Sequence, residues 1–243
     1  MADIGNGYGS ECHLLRFMGR HRSLLNAAVL DATGGREVEW LDAPFDGSRT
    51  WLDGEWKGVD FLPDDDPARS AWARVWPRRG NPPNWDAVGR VTVEGRREWL
   101  LVEAKASIEE MRSSCKASPQ GGRPLIERTL NGTKEALGVA LERDWLNGHY
   151  QFCNRIAVLH FLMEHGHPAR LLFLHFTGDR SGPGRTCPAN ADEWAGALAA
   201  QAAHVGLSEH HPLQDRVHKL MLDVTGSRPL LMPVVHPAGL AEA

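Results

Sequence analysis

The sequence predicts one domain of the α/β (α+β) class, with a mixed central sheet flanked by helices. The 243 residues are 42% hydrophobic and 24% charged, a composition typical of an ordinary globular protein with one sizeable core. Patterns of helix, strand, hairpin, two helices and strand follow one another along the chain. A short apolar run over residues 169–178 is typical of a strand buried on both faces, as in the middle of such a sheet.

The first predicted element is a helix that begins at Ser10 and ends at the pair Gly34-Gly35. Ser10 is a favourable N-cap, apolar residues recur after it at helical spacing, and two glycines stop a helix. A short strand is predicted next over residues 37–41, where apolar and polar residues alternate.

The segment over residues 42–83 is rich in tryptophan, proline, glycine and aspartate. We expect it to be an irregular insertion on the domain rather than a domain of its own. A small hairpin is expected at residues 52–55, because an Asp-Gly pair favours a tight turn. Residues 1–243 as a whole are therefore expected to form a single domain.

Two β-rich runs on either side of the pair Glu94-Gly95 predict a β-hairpin, since glycine tolerates the positive φ that the turn requires. A two-residue turn places Asp86 opposite Glu103, and Lys105 shares their face because side chains alternate along a strand. A four-residue turn would pair Asp86 with Lys105 and keep the three together. An odd-length turn, or a bulge in the first strand, would separate them.

The second half of the chain predicts three helices and two strands. The helices are expected over residues 124–145, 149–164 and 192–204, and the strands over residues 169–178 and 217–224. A glycine-rich stretch between the first of these strands and the last helix lacks a Lys-Ser/Thr pair and opens no helix. We therefore expect an ordinary loop there rather than a phosphate cradle.

Asp86, Glu103 and Lys105 form a group of charges at the end of a run that otherwise looks like a buried strand. Two carboxylates that face each other repel, and buried charge is unfavourable unless it is paired or bound to a metal ion. Carboxylate oxygens are the ligands that Mg²⁺ prefers, whereas a zinc site would require histidine or cysteine. Beside such a metal, Lys105 could orient or deprotonate an attacking water, or neutralise charge in the transition state. The pattern therefore predicts hydrolysis of a phosphodiester bond.

Asp86 followed by Glu103-Ala104-Lys105 at the end of the next strand resembles the signature of the PD-(D/E)XK nuclease superfamily, which has the restriction-endonuclease-like fold. The resemblance covers the hairpin strictly and the order of elements from the first helix to the apolar strand loosely. It implies a metal site of Asp86, Glu103 and the Ala104 carbonyl, with Mg²⁺ or Mn²⁺ bound and Lys105 as the catalytic lysine. The chain departs from the signature in having Trp85, rather than proline, before Asp86.

The resemblance also points to residues outside the hairpin. Nucleases of this kind commonly use a metal-binding acid from the first helix, for which Glu11 is the candidate; a favourable charge in the first helical turn explains Glu11 as well. The helix after the motif packs near the site in this fold, so Gln151 and Arg155 are candidates to hold a substrate phosphate. An exposed polar face explains these two residues equally well.

The function that the resemblance implies is a metal-dependent nuclease acting on DNA or RNA. Two alternatives stay open, a catalytically inactive nuclease-like scaffold that binds or regulates, and an unrelated α/β protein whose charges pair for structure alone. The patterns do not distinguish DNA from RNA or endonuclease from exonuclease action, and they leave a homodimer open.

Charge, hydropathy and cysteine content limit the kinds of binding partner and the cellular compartment that we expect. The net charge of −4 argues against indiscriminate binding to nucleic acid, although basic residues outnumber acidic ones between Arg69 and Lys105. No apolar run approaches the ~20 residues of a membrane span, the N-terminus lacks a secretory leader, and the four cysteines are far apart. A cytoplasmic protein with reduced thiols and no membrane partner is expected.

Overall fold

The computed structural model describes residues 8–41, 55–78, 80 and 82–225, which form six α-helices, seven β-strands and two short 3₁₀ turns. The helices are α1 (Ser10–Arg20), α2 (Arg22–Thr33), α3 (Pro67–Val75), α4 (Arg123–Leu137), α5 (Tyr150–Glu164) and α6 (Ala191–Val205). The strands are β1 (Glu37–Trp40), β2 (Trp56–Lys57), β3 (Asn84–Trp85), β4 (Ala87–Val93), β5 (Arg96–Lys105), β6 (Ala169–Thr177) and β7 (Val217–Asp223). The 3₁₀ turns are Glu109–Met111 and Gln214–Arg216. None of the described helices is long and apolar enough to cross a lipid bilayer.

Five strands make one mixed sheet in the order β1-β4-β5-β6-β7. The pairs β1–β4 and β4–β5 are antiparallel, while β5–β6 and β6–β7 are parallel. A parallel pair requires a crossover connection, which α4 and α5 supply between β5 and β6. Strands β2 and β3 form a separate two-stranded ladder.

Helices cover both faces of the sheet because the central strands carry apolar side chains in both directions. Leu100 and Val102 of β5 belong to a core shared with α1 and α2. Trp99 and Leu101 belong to a second core shared with α3, α4 and α5, which α6 joins through Val205. The predicted class, a mixed α/β sheet flanked by helices, is therefore confirmed.

The hairpin between β4 and β5 has the predicted two-residue turn. Both turn residues have positive φ, 50° at Glu94 and 77° at Gly95, as a tight hairpin turn requires. The ladder pairs Val88 with Leu101, and beyond its last pair the Asp86 amide donates to the Val102 carbonyl at 3.1 Å. The predicted register therefore holds without a bulge up to the residue before the candidate site.

The two helix predictions that differ most from the structure fail for local reasons. The first helix is two helices, because the backbone leaves the helical region at His21 (φ −122°). Both pieces bury apolar residues against the same face of the sheet, so hydrophobic spacing alone does not reveal the break. The helix predicted over 124–145 ends at Leu137, where Gly138 adopts the left-handed conformation. Lys134 stabilises the loop that follows by donating to the carbonyls of Leu141 and Arg143.

The segment predicted as an irregular insertion contains helix α3. Asp66 caps this helix by accepting a hydrogen bond from the Ala68 amide, and Pro67 occupies its first position. Trp72 of α3 stacks on Trp76 and joins the core beneath α4 and α5, so the described part of the segment is built into the domain. The hairpin predicted at residues 52–55 lies outside the described residues, apart from Glu55.

Strand β5 carries a second buried carboxylate at its start. Glu98 is 4% exposed, and its Oε2 accepts hydrogen bonds from Arg170 and Arg216, each at 2.6 Å. Arg170 also reaches the Thr33 carbonyl at the end of α2. Glu98 therefore ties the beginning of β5 to β6, to α2 and to the turn before β7.

The close contact between β1 and β4 at Gly89 gives a test of the sheet. A Cβ atom at Gly89 would lie 2.7 Å from the Glu39 carbonyl oxygen, which is backbone and cannot turn away. We expect Gly89→Ala to lower the free energy of unfolding by about 1–3 kcal/mol, measured by urea denaturation.

The matched control is Gly132→Ala, the same substitution inside α4, where no atom lies within 4 Å of the added Cβ. It should raise the free energy of unfolding by about 0.4–1 kcal/mol, because alanine restricts the unfolded chain more than glycine does. A Gly89→Ala variant as stable as the parent protein would contradict the β1–β4 register.

Candidate functional site

The sequence-predicted charges meet at the C-terminal end of β5, on the face that α5 covers. Glu103 and Lys105 have the same parity as Trp99 and Leu101, whose side chains pack in the core with α5. Asp86 lies opposite, next to the start of β4. The structure thus brings Asp86, Glu103 and Lys105 together, because the hairpin register places all three on one face.

Glu103 is buried and is held by two cations. Only 2% of the residue is exposed. Its Oε1 accepts a hydrogen bond from Lys105 Nζ at 2.5 Å, and its Oε2 accepts from Arg155 Nε at 2.7 Å, with Nη2 at 2.6 Å. Burial alone would raise the pKa of Glu103, but Arg155 and Lys105 outweigh it and hold that pKa below its ordinary value. Glu103 is therefore a carboxylate at neutral pH.

Lys105 keeps its proton for the same reason. Burial acts to lower the pKa of the ammonium group, yet the negative charges of Glu103 and Asp86 raise it above its ordinary value. Gln151 Oε1 lies 3.4 Å from Lys105 Nζ and accepts a second, longer hydrogen bond. In this arrangement Lys105 is a fixed positive charge and a hydrogen-bond donor.

The negative charge of Asp86 is offset by fewer hydrogen bonds from cations than that of Glu103. Its Oδ2 accepts a hydrogen bond from the Ala104 amide at 2.6 Å. Burial and the neighbouring charge of Glu103 raise the pKa of Asp86 to about 7, and Lys105, the Ala104 amide and Arg155 offset these effects only in part. Asp86 is therefore the carboxyl group whose ionisation would gain most from an additional cation.

Arg155 points into the protein rather than out of an exposed polar face. It is 3% exposed, and besides its two contacts with Glu103 it donates from Nη1 to Asn154 Oδ1 at 2.7 Å. Its guanidinium group lies 5.0 Å from the centre of a Trp85 ring. Arg155 therefore joins α5 to the end of β5, whereas Gln151, one helical turn earlier, is only half-buried.

Ala104 and Glu11, the two remaining predicted metal ligands, lie in different parts of the structure. The Ala104 side chain packs in the core on the α1 side of the sheet, and its amide binds Asp86. Glu11 is exposed in the first turn of α1, on the sheet face opposite to Glu103. The start of α1 is fixed near the C-terminal end of β6, where the Gly9 amide donates to Asp179 at 2.9 Å. The structure therefore does not bring Glu11 to the face where Asp86 and Glu103 meet.

His175 belongs to the site, and sequence reasoning missed it. It pairs with Lys105 in the register of the parallel strands β5 and β6, and it is 3% exposed. Burial lowers the pKa of His175 to about 4, so the ring is neutral at physiological pH. The available signal was a histidine inside an apolar strand, the same kind of anomaly that marked Glu103 and Lys105.

The donor set fits a hard divalent cation better than a transition metal. Asp86 and Glu103 supply carboxylate oxygens. Burial and the charge of Glu103 raise the pKa of Asp86, so a nearby cation would stabilise its ionised form. Within the described residues there is no group of three or more histidine, cysteine, aspartate or glutamate side chains arranged for a metal ion. A cation here would therefore depend on these two carboxylates together with backbone or solvent oxygens.

Comparisons of the chain with family models, with curated proteins and with solved structures find no match. The function is therefore inferred from the geometry of this site and from the resemblance in the sequence.

The raised pKa of Asp86 predicts a pH dependence of stability. Between pH about 4 and about 7 the folded carboxyl group holds a proton that the unfolded one has released. The folded state then binds more protons, so its stability falls as pH rises through this window. Asp86→Asn removes this dependence, and the variant should gain stability relative to the parent protein as pH rises, measured by urea denaturation across the window.

Asp31→Asn, at an exposed aspartate of α2, is the matched control and is measured over the same range. If the difference in free energy of unfolding between Asp86→Asn and the parent protein changes with pH no more than that of Asp31→Asn does, the pKa of Asp86 is not raised in the folded protein.

Proposed function

We propose that this protein is a Mg²⁺-dependent nuclease, with Mn²⁺ as an alternative ion, that hydrolyses phosphodiester bonds of DNA or RNA. The observation that carries the proposal is the convergence of Asp86, Glu103 and Lys105 on one face at the ends of two paired strands. A pair of carboxylates and a charged amine is the minimal set for binding a divalent cation beside a phosphate group.

The topology supports assignment to the restriction-endonuclease-like fold within the PD-(D/E)XK superfamily. Two helices precede an antiparallel unit of β1, β4 and β5, and helices α4 and α5 lead to the parallel strands β6 and β7. This order agrees with what the sequence resemblance implies. Glu103 and Lys105 lie at the end of β5, the central strand of the sheet, with Asp86 beside them on the face that α5 covers.

Asp86 and Glu103 are the residues that would hold the ion, with the Ala104 carbonyl as a third oxygen. The chemistry that a divalent cation supplies in such a site is polarisation of a phosphoryl oxygen and activation of water. Asp86 responds most to this charge, because its pKa stands near 7 in the protein alone.

Lys105 acts as a charge rather than as a base. Its pKa is raised, so at neutral pH the amine carries a proton and cannot accept another. It therefore donates a hydrogen bond to the phosphate oxygens, where negative charge develops during hydrolysis. Gln151 orients the amine of Lys105 by accepting a hydrogen bond from it. Arg155 is a positioning residue that fixes the Glu103 carboxylate by donating to its Oε2.

The second candidate is a nuclease-like scaffold that binds nucleic acid without cutting it. One observation favours it, because Lys105 and Arg155 already engage both oxygens of Glu103 and balance its charge. For either function the proposed partner is nucleic acid and the proposed compartment is the cytoplasm, which the four free cysteines support.

The test is cleavage of end-labelled single-stranded and double-stranded DNA and RNA with Mg²⁺ or Mn²⁺. We expect Lys105→Ala and Asp86→Asn each to reduce the rate at least about 100-fold. The first removes a positive charge beside the reacting phosphate, and the second removes a ligand of the ion. Arg20→Ala, at an exposed arginine at the end of α1, is the control and should retain the parental rate. Circular dichroism establishes that each variant is folded.

Calorimetric titration with Mg²⁺ separates the two candidates. A nuclease should bind the ion in a manner that Asp86→Asn removes, and it should cut at least one of the four substrates. Absence of both cutting and ion binding would refute the enzyme and leave the scaffold. Cutting that survives Lys105→Ala at the parental rate would place the activity elsewhere.

A further inference from the structure

A cavity of about 590 Å³ opens beside the candidate site, between residues 112–118 and the first turns of α5. Arg112, Lys116 and Arg155 contribute to its wall, and no aspartate or glutamate is among its described lining residues. A lining with positive but no negative side chains is unexpected in a chain whose net charge is −4. The cavity therefore favours an anionic occupant.

The rest of the lining combines polar side chains, among them Asn84, Ser114 and Asn154, with several rings. Trp76, Pro77, Pro82 and Tyr150 contribute rings to it. Trp76 is buried, so the half-buried Tyr150 presents the more accessible aromatic ring. An aromatic ring such as that of Tyr150 packs against the flat face of a nucleobase, whatever the identity of the base. A ligand with both a planar base and a phosphate satisfies both parts of the lining.

Hydrogen bonds fix the loop that forms this wall to the start of α5. Ser113 accepts a hydrogen bond from the Gln151 amide through Oγ at 2.7 Å, and its own amide donates to the Gly148 carbonyl at 2.8 Å. The Cys115 amide donates to the Leu146 carbonyl at 2.7 Å. The cavity is thus held open by backbone pairing in the protein alone, as preformed ligand sites are.

The cavity and the candidate site share two side chains of α5. Gln151 lines the cavity and contacts Lys105 Nζ, and Arg155 lines it and contacts Glu103. An occupant of the cavity is therefore adjacent to the charges that would act on a phosphate. In a polynucleotide it would be a direct neighbour of the bond to be cut.

Size decides between paired and unpaired strands. A volume of about 590 Å³ lies within the ~300–1,000 Å³ range of small-molecule pockets. A base pair that is stacked within a duplex does not fit into a pocket of this size. A base can enter such a pocket only when it is unpaired.

We propose that the cavity binds one or two unpaired nucleotides next to the scissile phosphate, so that the substrate is single-stranded nucleic acid or an unpaired strand end. This inference rests on the proposed nuclease function for the identity of the reaction. Arg112 and Lys116 bind the phosphate groups, and the ring of Tyr150 contacts a base.

The test is equilibrium binding of a fluorescein-labelled oligothymidine, an oligouridine and a blunt DNA hairpin, followed by anisotropy in EDTA so that no cutting occurs. We expect the single strands to bind at least tenfold more tightly than the hairpin. Arg112→Ala/Lys116→Ala should weaken single-strand binding at least tenfold and flatten its salt dependence, because two phosphate contacts are lost. Both residues are exposed, so the variant should fold.

The matched control is Arg20→Ala/Arg96→Ala, which removes two exposed positive charges at the end of α1 and at the hairpin turn. It should weaken binding less than threefold. Equal weakening by the two double variants, or equal affinity for hairpin and single strand, would overturn the inference. Cleavage assays report separately on the proposed function, since single-strand binding without cutting leaves the cavity assignment standing and refutes the nuclease.

Discussion

The buried ion pair between Glu103 and Arg155 determines how the helical layer sits on the sheet. An ionised carboxylate out of water is unfavourable by several kcal/mol unless charged hydrogen bonds replace the lost solvation. Glu103 obtains one such partner from its own strand, Lys105, and the other only from α5. The helix must therefore dock with Arg155 facing the strand end, and the cavity wall beside it follows from that orientation.

Charge balance explains why two carboxylates tolerate each other in this position. Lys105 and Arg155 match Asp86 and Glu103 in number, but their hydrogen bonds go to Glu103. Asp86 is left with a backbone amide, a raised pKa and an easily altered ionisation. The asymmetry divides the pair into one permanently ionised group and one responsive group, which is the division of roles that acid-base and metal chemistry use.

Local patterns predicted the hairpin, its register and the face shared by the three charges, because a strand's period and the pair Glu94-Gly95 are short-range properties. They did not predict that Arg155 points inward or that His175 lies beside Lys105. Both facts depend on which element lies opposite, and α5 has buried residues around most of its circumference, so its pattern identifies no single face. The break at His21 escaped prediction for a related reason, since both helices contact the same core.

Strand β5 carries an ionic anchor at each end, and the two anchors lie on opposite faces of the sheet. Glu98 is tied toward α2, whereas Glu103 is tied to α5, and four residues of strand lie between them. Inserting or deleting one residue between them would turn one carboxylate to the wrong face and leave either Arg155, or Arg170 and Arg216, without a carboxylate partner. Length variation among descendants of this sequence should therefore avoid the interval between these two glutamates.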